Sequence, residues 1–354
     1  MPPSIDPDLP LDIEQPSQLV EYLRSTGRIG EKEAPQTRVL GGGVSNRGVM
    51  VRRRNGEAWV LKQALGKLRV AVDWHADPRR IEREALGMRY LADLLPPGSV
   101  PQLLFEDPRH HLLAMTAVPR PHENWKSHLL LGKLELDHIR QFGRMLASIH
   151  RGSHERRKEL ARVFKDRSFF ESLRVEPYYL YSAEQCPASA KFLRALVKQT
   201  RVTREALVHG DYSPKNILIH EGRLILLDHE VIHWGDPAFD LGFSMTHLLS
   251  KAHHFIPQHA ALAKGAAEFW RSYSEALGDV PWRATIGVRA AKHTLACLLA
   301  RAVGRSPLEY LDLAERRGQA EVAVELMKKP PEDMPSLIDA FLYRIERKDR
   351  PLDR

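Results

Sequence analysis

The strand signals of this chain are crowded into one stretch, and that segregation constrains the fold more than any other feature. Short β-prone runs follow one another at Thr37–Leu40, Val49–Val51, Ala58–Leu61, Leu103–Glu106 and Leu112–Thr116. Asn55-Gly56, between the second and third, is a hairpin signal because both residue types tolerate positive φ. One segment here has helical spacing: Ile81, Ala85, Met88, Leu91, Ala92 and Leu95, stopped by Pro96-Pro97-Gly98. The pattern predicts a five-stranded sheet with one helix over residues 36–116. Val118-Pro119-Arg120-Pro121 reads as a linker, and beyond it helical periodicity takes over. Ile139, Phe142, Leu146 and Ile149 share a face after a cap at Asp137, and Phe192, Leu193, Leu196 and Val197 do so after Ser189. The long apolar run Ala284–Val303 ends at Gly304 and reads as a buried helix. A sheet-bearing unit followed by a helical one predicts an α+β protein of two lobes. The expected division is a leader over 1–35 containing a short helix at 17–24, a small lobe over 36–118, a large lobe over 119–347 and a polar tail over 348–354.

Composition narrows the function classes. A chain of 354 residues holds two or three structural units and buries a core without staples. Cys186 and Cys297, the only two cysteines, exclude a disulfide framework and a four-cysteine zinc site, and point to a reducing compartment. Among 17 histidines there is no His-Glu-x-x-His motif, and His229, His233, His253 and His254 lack metal-ligand spacing. The net charge of +8 is spread over short basic runs, so no nucleic-acid partner is expected. No apolar run approaches a membrane span, and Met1–Gln15 lacks the basic and apolar regions of a signal peptide. A cytoplasmic protein with no membrane partner is the expectation.

Within the helical half lies one β-rich island: Leu207-Val208, Ile217–Ile219 and Leu224–Leu227, the last two joined by the turn Glu221-Gly222. Between its first two strands runs His209-Gly210-Asp211-Tyr212-Ser213-Pro214-Lys215-Asn216, and after its last comes Asp228-His229-Glu230. Phosphoryl transfer to a hydroxyl needs a carboxylate to orient or deprotonate the nucleophile, and oxygen ligands for Mg²⁺ on the phosphates. Asp211 suits the first task; Asn216, Asp228 and Glu230 suit the second. Extended backbone after the strand would turn Asp228 and Glu230 to the same side. Gly41-Gly42-Gly43-Val44-Ser45-Asn46-Arg47-Gly48 joins the first two strands, where backbone N–H groups approach phosphate closely. A P-loop is excluded, because Val49-Met50 stand where Lys-Ser/Thr is required and a strand follows.

His-x-Asp with Asn five residues after the Asp, then Asp228-x-Glu230 and Gly235-Asp236-Pro237-Ala238-Phe239-Asp240-Leu241-Gly242, resembles the aminoglycoside phosphotransferase family, whose relatives include choline kinase and methylthioribose kinase. The resemblance covers about residues 36–250 and implies a two-lobed protein-kinase-like fold. It implies ATP and Mg²⁺ as cofactors, with Gly41, Gly42, Gly43, Ser45 and Asn46 over the phosphates. Lys62 would hold the α- and β-phosphates and pair with a helix glutamate. Glu84 is the expected partner because it falls inside the apolar stripe of its helix, where an unpaired carboxylate is costly, whereas Glu82 faces away. The resemblance gives Asp211 as catalytic residue, Asn216, Asp228 and Glu230 at the metal, and His209 and Asp240 as braces of the loop. Tyr212 and Ser213 depart from the residues that many relatives carry there. The implied reaction is transfer of the γ-phosphoryl group to a hydroxyl of a small molecule. The alternative is a catalytically silent nucleotide-binding module on the same fold. Trp125 and Trp234 stand as cleft aromatics or core residues.

Overall fold

The computed structural model describes residues 11–41, 43–69 and 73–349. Strands β1 (Gln36–Val39), β2 (Asn46–Arg52), β3 (Ala58–Ala64), β4 (Leu103–Asp107) and β5 (Leu112–Thr116) form one antiparallel sheet in the order β1-β2-β3-β5-β4. Side-chain alternation sorts β3 onto two faces. Trp59 and Leu61 enter a core with Val49, Val51 and Phe105, while Val60 and Ala64 pack against Ile81, Ala85 and Met88 of helix α2 (Arg80–Leu94). Lys62, in step with Val60 and Ala64, is thereby placed under α2.

The described part of the expected leader is built into this lobe. Ile13, Leu19, Leu23 and Ile29 are buried in the first of these cores, Leu19 and Leu23 on helix α1 (Pro16–Ser25), and the Tyr22 hydroxyl donates to Asp107 Oδ2 at 2.8 Å. The β2–β3 turn also differs from the two-residue expectation. Arg53 N–H donates to Glu57 O at 2.8 Å and only Gly56 takes a positive φ, so the loop holds one more residue.

The rest is largely helical: α3 (Trp125–Leu130), α4 (Leu136–Glu155), α5 (Arg157–Val163), α6 (Ser168–Phe170), α7 (Tyr181–Gln185), α8 (Ala190–Val202), α9 (Ala238–His254), α10 (His259–Ala276), α11 (Ile286–Val303), α12 (Leu313–Lys328) and α13 (Met334–Asp349). A wide π-helical stretch, Glu171–Leu180, joins α6 to α7 and contains Pro177, which has no N–H to offer a regular helix. The expected faces of α4 and α11 are buried, although Asp137 lies inside the first turn of α4 and Ser189 caps α8 without a side-chain bond. No helix of the described residues is long and apolar enough to cross a membrane.

The β-island is larger than its sequence pattern. β6 (Glu123–Asn124) pairs with β8 (Ile217–His220), which pairs with β9 (Arg223–Leu226); β7 (Ala206–Val208) pairs with β10 (His233–Gly235). Glu221 and Gly222 both take positive φ, which closes the β8–β9 hairpin in two residues. The loop after β7 hangs on α9. Asp240, fully buried, accepts from the N–H groups of His209 at 2.7 Å and Gly210 at 2.8 Å, and lies 3.3 Å from His150 Nε2. Gly210 sits at φ +77°, and a Cβ there would stand 2.8 Å from Val231 Cγ2, so the loop's path requires glycine.

Burial opposes the charge on Asp240, but His150 and the loop N–H groups outweigh it and hold the carboxyl below its ordinary range. A depressed folded-state value stabilises above the unfolded pKa of about 3.9 and loses that stability as pH falls through the folded one. Asp240→Asn should therefore cost about 2 kcal/mol near neutrality, as loss of charge-assisted bonds does. Denaturant melts at stepped pH should show the gap between wild type and variant full above about pH 4 and shrinking below it.

Candidate active site

Lys62 stands between two carboxylates. Its Nζ donates to Glu84 Oε1 at 2.6 Å and to Asp228 Oδ1 at 3.0 Å. Glu84 is 1% exposed and Lys62 18%, so the pair lies at the edge of the cleft with its acid end sealed under α2. Burial alone would discharge the lysine, yet Asp228 and Glu84 override it and hold the ammonium above its ordinary value. Asp228 is held low in turn: burial opposes its charge, and Lys62 and then Lys215 outweigh that. Burial pushes Glu84 upward against the pull of Lys62. Glu82 is exposed, as its helical phase requires.

Asp211 occupies the loop after β7 with its two carboxylate oxygens engaged. Asn216 Nδ2 donates to Oδ2 at 2.7 Å and to the Asp211 carbonyl at 3.0 Å. Arg174 lies 3.0 Å from Oδ1 and donates through Nε to the Gly210 carbonyl at 2.7 Å. With its amide nitrogen facing Asp211, Asn216 turns Oδ1 the other way. Beneath the loop, His209 Nδ1 accepts from Asp211 N–H at 3.2 Å, and His209 Nε2 lies 3.1 Å from His229 Nδ1. Burial lowers both imidazoles, His229 furthest, so the pair is neutral packing at neutral pH.

The backbone after β9 is not extended. Asp228 takes φ +68°, so the chain turns there and strand alternation does not decide where Glu230 points. Glu230, 6% exposed, accepts through Oε2 from Arg80 Nε at 3.0 Å and Asn46 Nδ2 at 3.3 Å. Arg80 is fully buried; it also donates to the carbonyls of Ser45, Leu65 (3.0 Å) and Asp77 (3.1 Å). One guanidinium thus ties the glycine-rich loop, the end of β3 and the start of α2 to the Asp-x-Glu turn. Burial and then the Asp228 charge push Glu230 up, against Arg80.

The other expected residues are placed as follows. Gly41 and Gly43 are exposed at the mouth of the β1–β2 connection, and Gly42 lies outside the described residues. A Cβ on Gly43 would meet the Asn46 carbonyl at 2.9 Å. Asn46 is buried, its amide spent on Ser45 Oγ and Glu230. Tyr212 is fully buried and stacks on Phe142 at 4.3 Å, so its departure from the family pattern is a matter of core packing. Trp125 and Trp234 are core residues as well. Sequence reasoning missed Arg80 and Arg174. Arg80 immediately precedes the apolar stripe of α2, and Arg174 lies in the π-helical stretch, where no regular period could mark it.

A family model described as "Phosphotransferase enzyme family" matches residues 36–278. The methylthioribose kinase of Pectobacterium carotovorum subsp. carotovorum (strain PC1) is 28% identical over 267 residues, covering 65% of this chain and 64% of that protein. The chain therefore spans slightly less than two thirds of that relative's length. Among solved structures, the streptomycin–ATP ternary complex of APH(2")-IIa superposes with a TM-score of 0.51 at 14% identity, covering 92% of this chain and 99% of that one. The amicoumacin kinase hAmiN, in complex with AMP-PNP, Ca²⁺ and Ami, has the same TM-score and identity, covering 89% of each chain. These structures share the two-lobed kinase-like fold, and the match over most of its length makes this chain a member of the phosphotransferase enzyme family.

Proposed function

We propose that the chain transfers the γ-phosphoryl group of ATP to a hydroxyl of a small molecule. The observation that carries this reading is the meeting of Lys62, Glu84 and Asp228 at one end of the cleft with Asp211 and Asn216 on the adjoining loop. ATP lies between the lobes, with adenine near Met115–Pro119 and the phosphates under the 41–48 loop. Lys62 is held charged for the α- and β-phosphates by its two carboxylates. Asp211, oriented by Asn216 and Arg174, takes the hydroxyl proton of the acceptor. The oxygen-only set of Asp228, Asn216 Oδ1 and Glu230 fits a hard divalent cation, and these residues would hold Mg²⁺, which supplies charge neutralisation on the phosphates. Glu230 keeps one oxygen on Arg80 and offers the other. The division at 118/119 follows the change from sheet to helices, and the acceptor belongs on the large-lobe side.

Charge on that side argues for the acceptor class. Arg174 lies over the rings of Tyr178 and Phe243 at 5.6 and 5.9 Å, and Arg301 over the same rings at 5.1 and 5.3 Å. Lys251, fully buried one turn beyond His247, faces the Tyr310 ring at 5.1 Å; burial and then Lys126 pull its ammonium down to about 7. This accumulation of buried basic side chains, together with the methylthioribose kinase relatives, favours a neutral or anionic sugar-like hydroxyl compound over a polycation.

Three measurements test this. A phosphorylation screen with Mg-ATP should turn over methylthioribose or another neutral or anionic sugar faster than choline or an aminoglycoside; preference for a polycation removes the acceptor assignment. Asp211→Asn should fold and bind nucleotide yet lose about 10²–10⁴-fold in turnover. Wild-type turnover by that variant would dismiss the loop as the catalytic one. Glu230→Gln should raise the Mg²⁺ needed for half-maximal activity, with partial rescue by excess Mg²⁺. Because its partner Arg80 is buried, it should also cost about 1–3 kcal/mol of stability rather than the 0–1 of a surface pair.

A further inference from the structure

Independent of the kinase reading, a second polar cluster stands where α3 turns into α4. His128 lies in the last turn of α3, Glu135 precedes α4, and His138 lies in the first turn of α4. His128 Nε2 is 3.4 Å from Glu135 Oε1, His138 Nδ1 is 3.7 Å from Glu135 Oε2, and one ligand atom from each of the three residues lies within 4.8 Å of the other two. His128 is 8% exposed and His138 4%, and neither of these two nitrogens has a hydrogen-bond partner. A buried imidazole nitrogen without a partner is costly, and two aimed at one carboxylate require an explanation.

A hydrogen bond to Glu135 does not supply it, because neither nitrogen makes one, the His138 contact at 3.7 Å being too long. The far side of His128 does. Its Nδ1 lies 3.0 Å from Glu123 Oε2, a carboxylate that accepts from Nδ1–H, so in the neutral ring Nε2 is the lone-pair nitrogen and faces Glu135. A carboxylate behind a histidine is the arrangement that orients metal-bound imidazoles. Around a tetrahedral ion with bonds of about 2.0–2.1 Å, ligand atoms stand roughly 3.3–3.4 Å apart, near the 3.4 and 3.7 Å of the two histidine–Glu135 contacts.

We infer that His128, Glu135 and His138 bind a divalent transition-metal ion of the zinc type, with Glu123 behind His128 and solvent at the fourth position. Two imidazoles and a carboxylate suit zinc and its neighbours and not Mg²⁺. Glu135 is exposed, so an ion has a path in. The ion would pin α3 to α4. Asn124, which caps α3, donates to the Lys215 carbonyl at 2.8 Å, so the clasp would also steady the catalytic loop from outside the cleft.

Zinc titrations by calorimetry on chelator-stripped full-length protein, in saturating Mg²⁺, decide the matter. Wild type and Asp228→Asn should each bind one equivalent. Glu135→Ala and His138→Gln should weaken binding by at least about ten-fold. Cobalt(II) in place of zinc should give a visible absorption band that the same two variants lose. Glu135 is exposed, so its variant keeps the test valid if His138→Gln folds poorly. The inference fails if wild type binds no stoichiometric zinc, if the equivalent survives Glu135→Ala, or if Asp228→Asn abolishes it, which would place the ion at the phosphate site.

Discussion

The ammonium of Lys62, shared between Glu84 and Asp228, is the contact around which the two halves of the molecule are arranged. Strand alternation on β3 puts the lysine on the α2 side of the sheet, and helical phase puts Glu84 over it. Asp228 comes from the other half of the chain, 166 residues away. A half-buried cation with two anions, one of them sealed from water, tolerates the loss of neither well, because the remaining charges would be left partly desolvated. The pair therefore sets the separation of α2 from the turn after β9. Close approach is permitted by Gly87, where a Cβ would stand 2.8 Å from that of His229.

Arg80 reinforces the same junction from one helical turn away. Its bonds reach Glu230 across the cleft and the Ser45 and Leu65 carbonyls within the small lobe. The glycine-rich connection is consequently anchored at its Ser45-Asn46 end and exposed at Gly41 and Gly43. On the other side, Asp240 and the neutral His209–His229 pair hold the Asp211 loop from below while Arg174 holds it from the side. Asp211 is thus positioned by groups on α9, the turn after β9 and the π-helical stretch, elements that local sequence order does not connect.

The α+β division and the five-stranded sheet with its helix were legible in the chain from short-range periods, two residues in strands and three to four in helices. The two-lobed kinase-like form and the pairing of Lys62 with a helix glutamate came from the family resemblance, and helical phase only chose Glu84 over Glu82. The strands β6 and β10 were not legible, since two or three residues carry no period. The packing of Ile13, Leu19 and Leu23 onto the sheet was also hidden, because a single short amphipathic helix does not name the surface it covers.

Residue type and spacing alone placed Asp211 with Asn216, because five residues on one loop leave little freedom, and they marked Asp228 and Glu230 as a pair of acids. Only the tertiary structure decided what each acid faces. The left-handed turn at Asp228 sends Glu230 to Arg80, a partner 150 residues distant whose burial converts an ordinary arginine into a cross-link. Likewise, His128, Glu135 and His138 are unremarkable by spacing, and a tight helix-to-helix turn makes them neighbours. Local periodicity encodes which face a side chain takes. Which charge meets it there depends on long-range packing, and no local pattern carries that information.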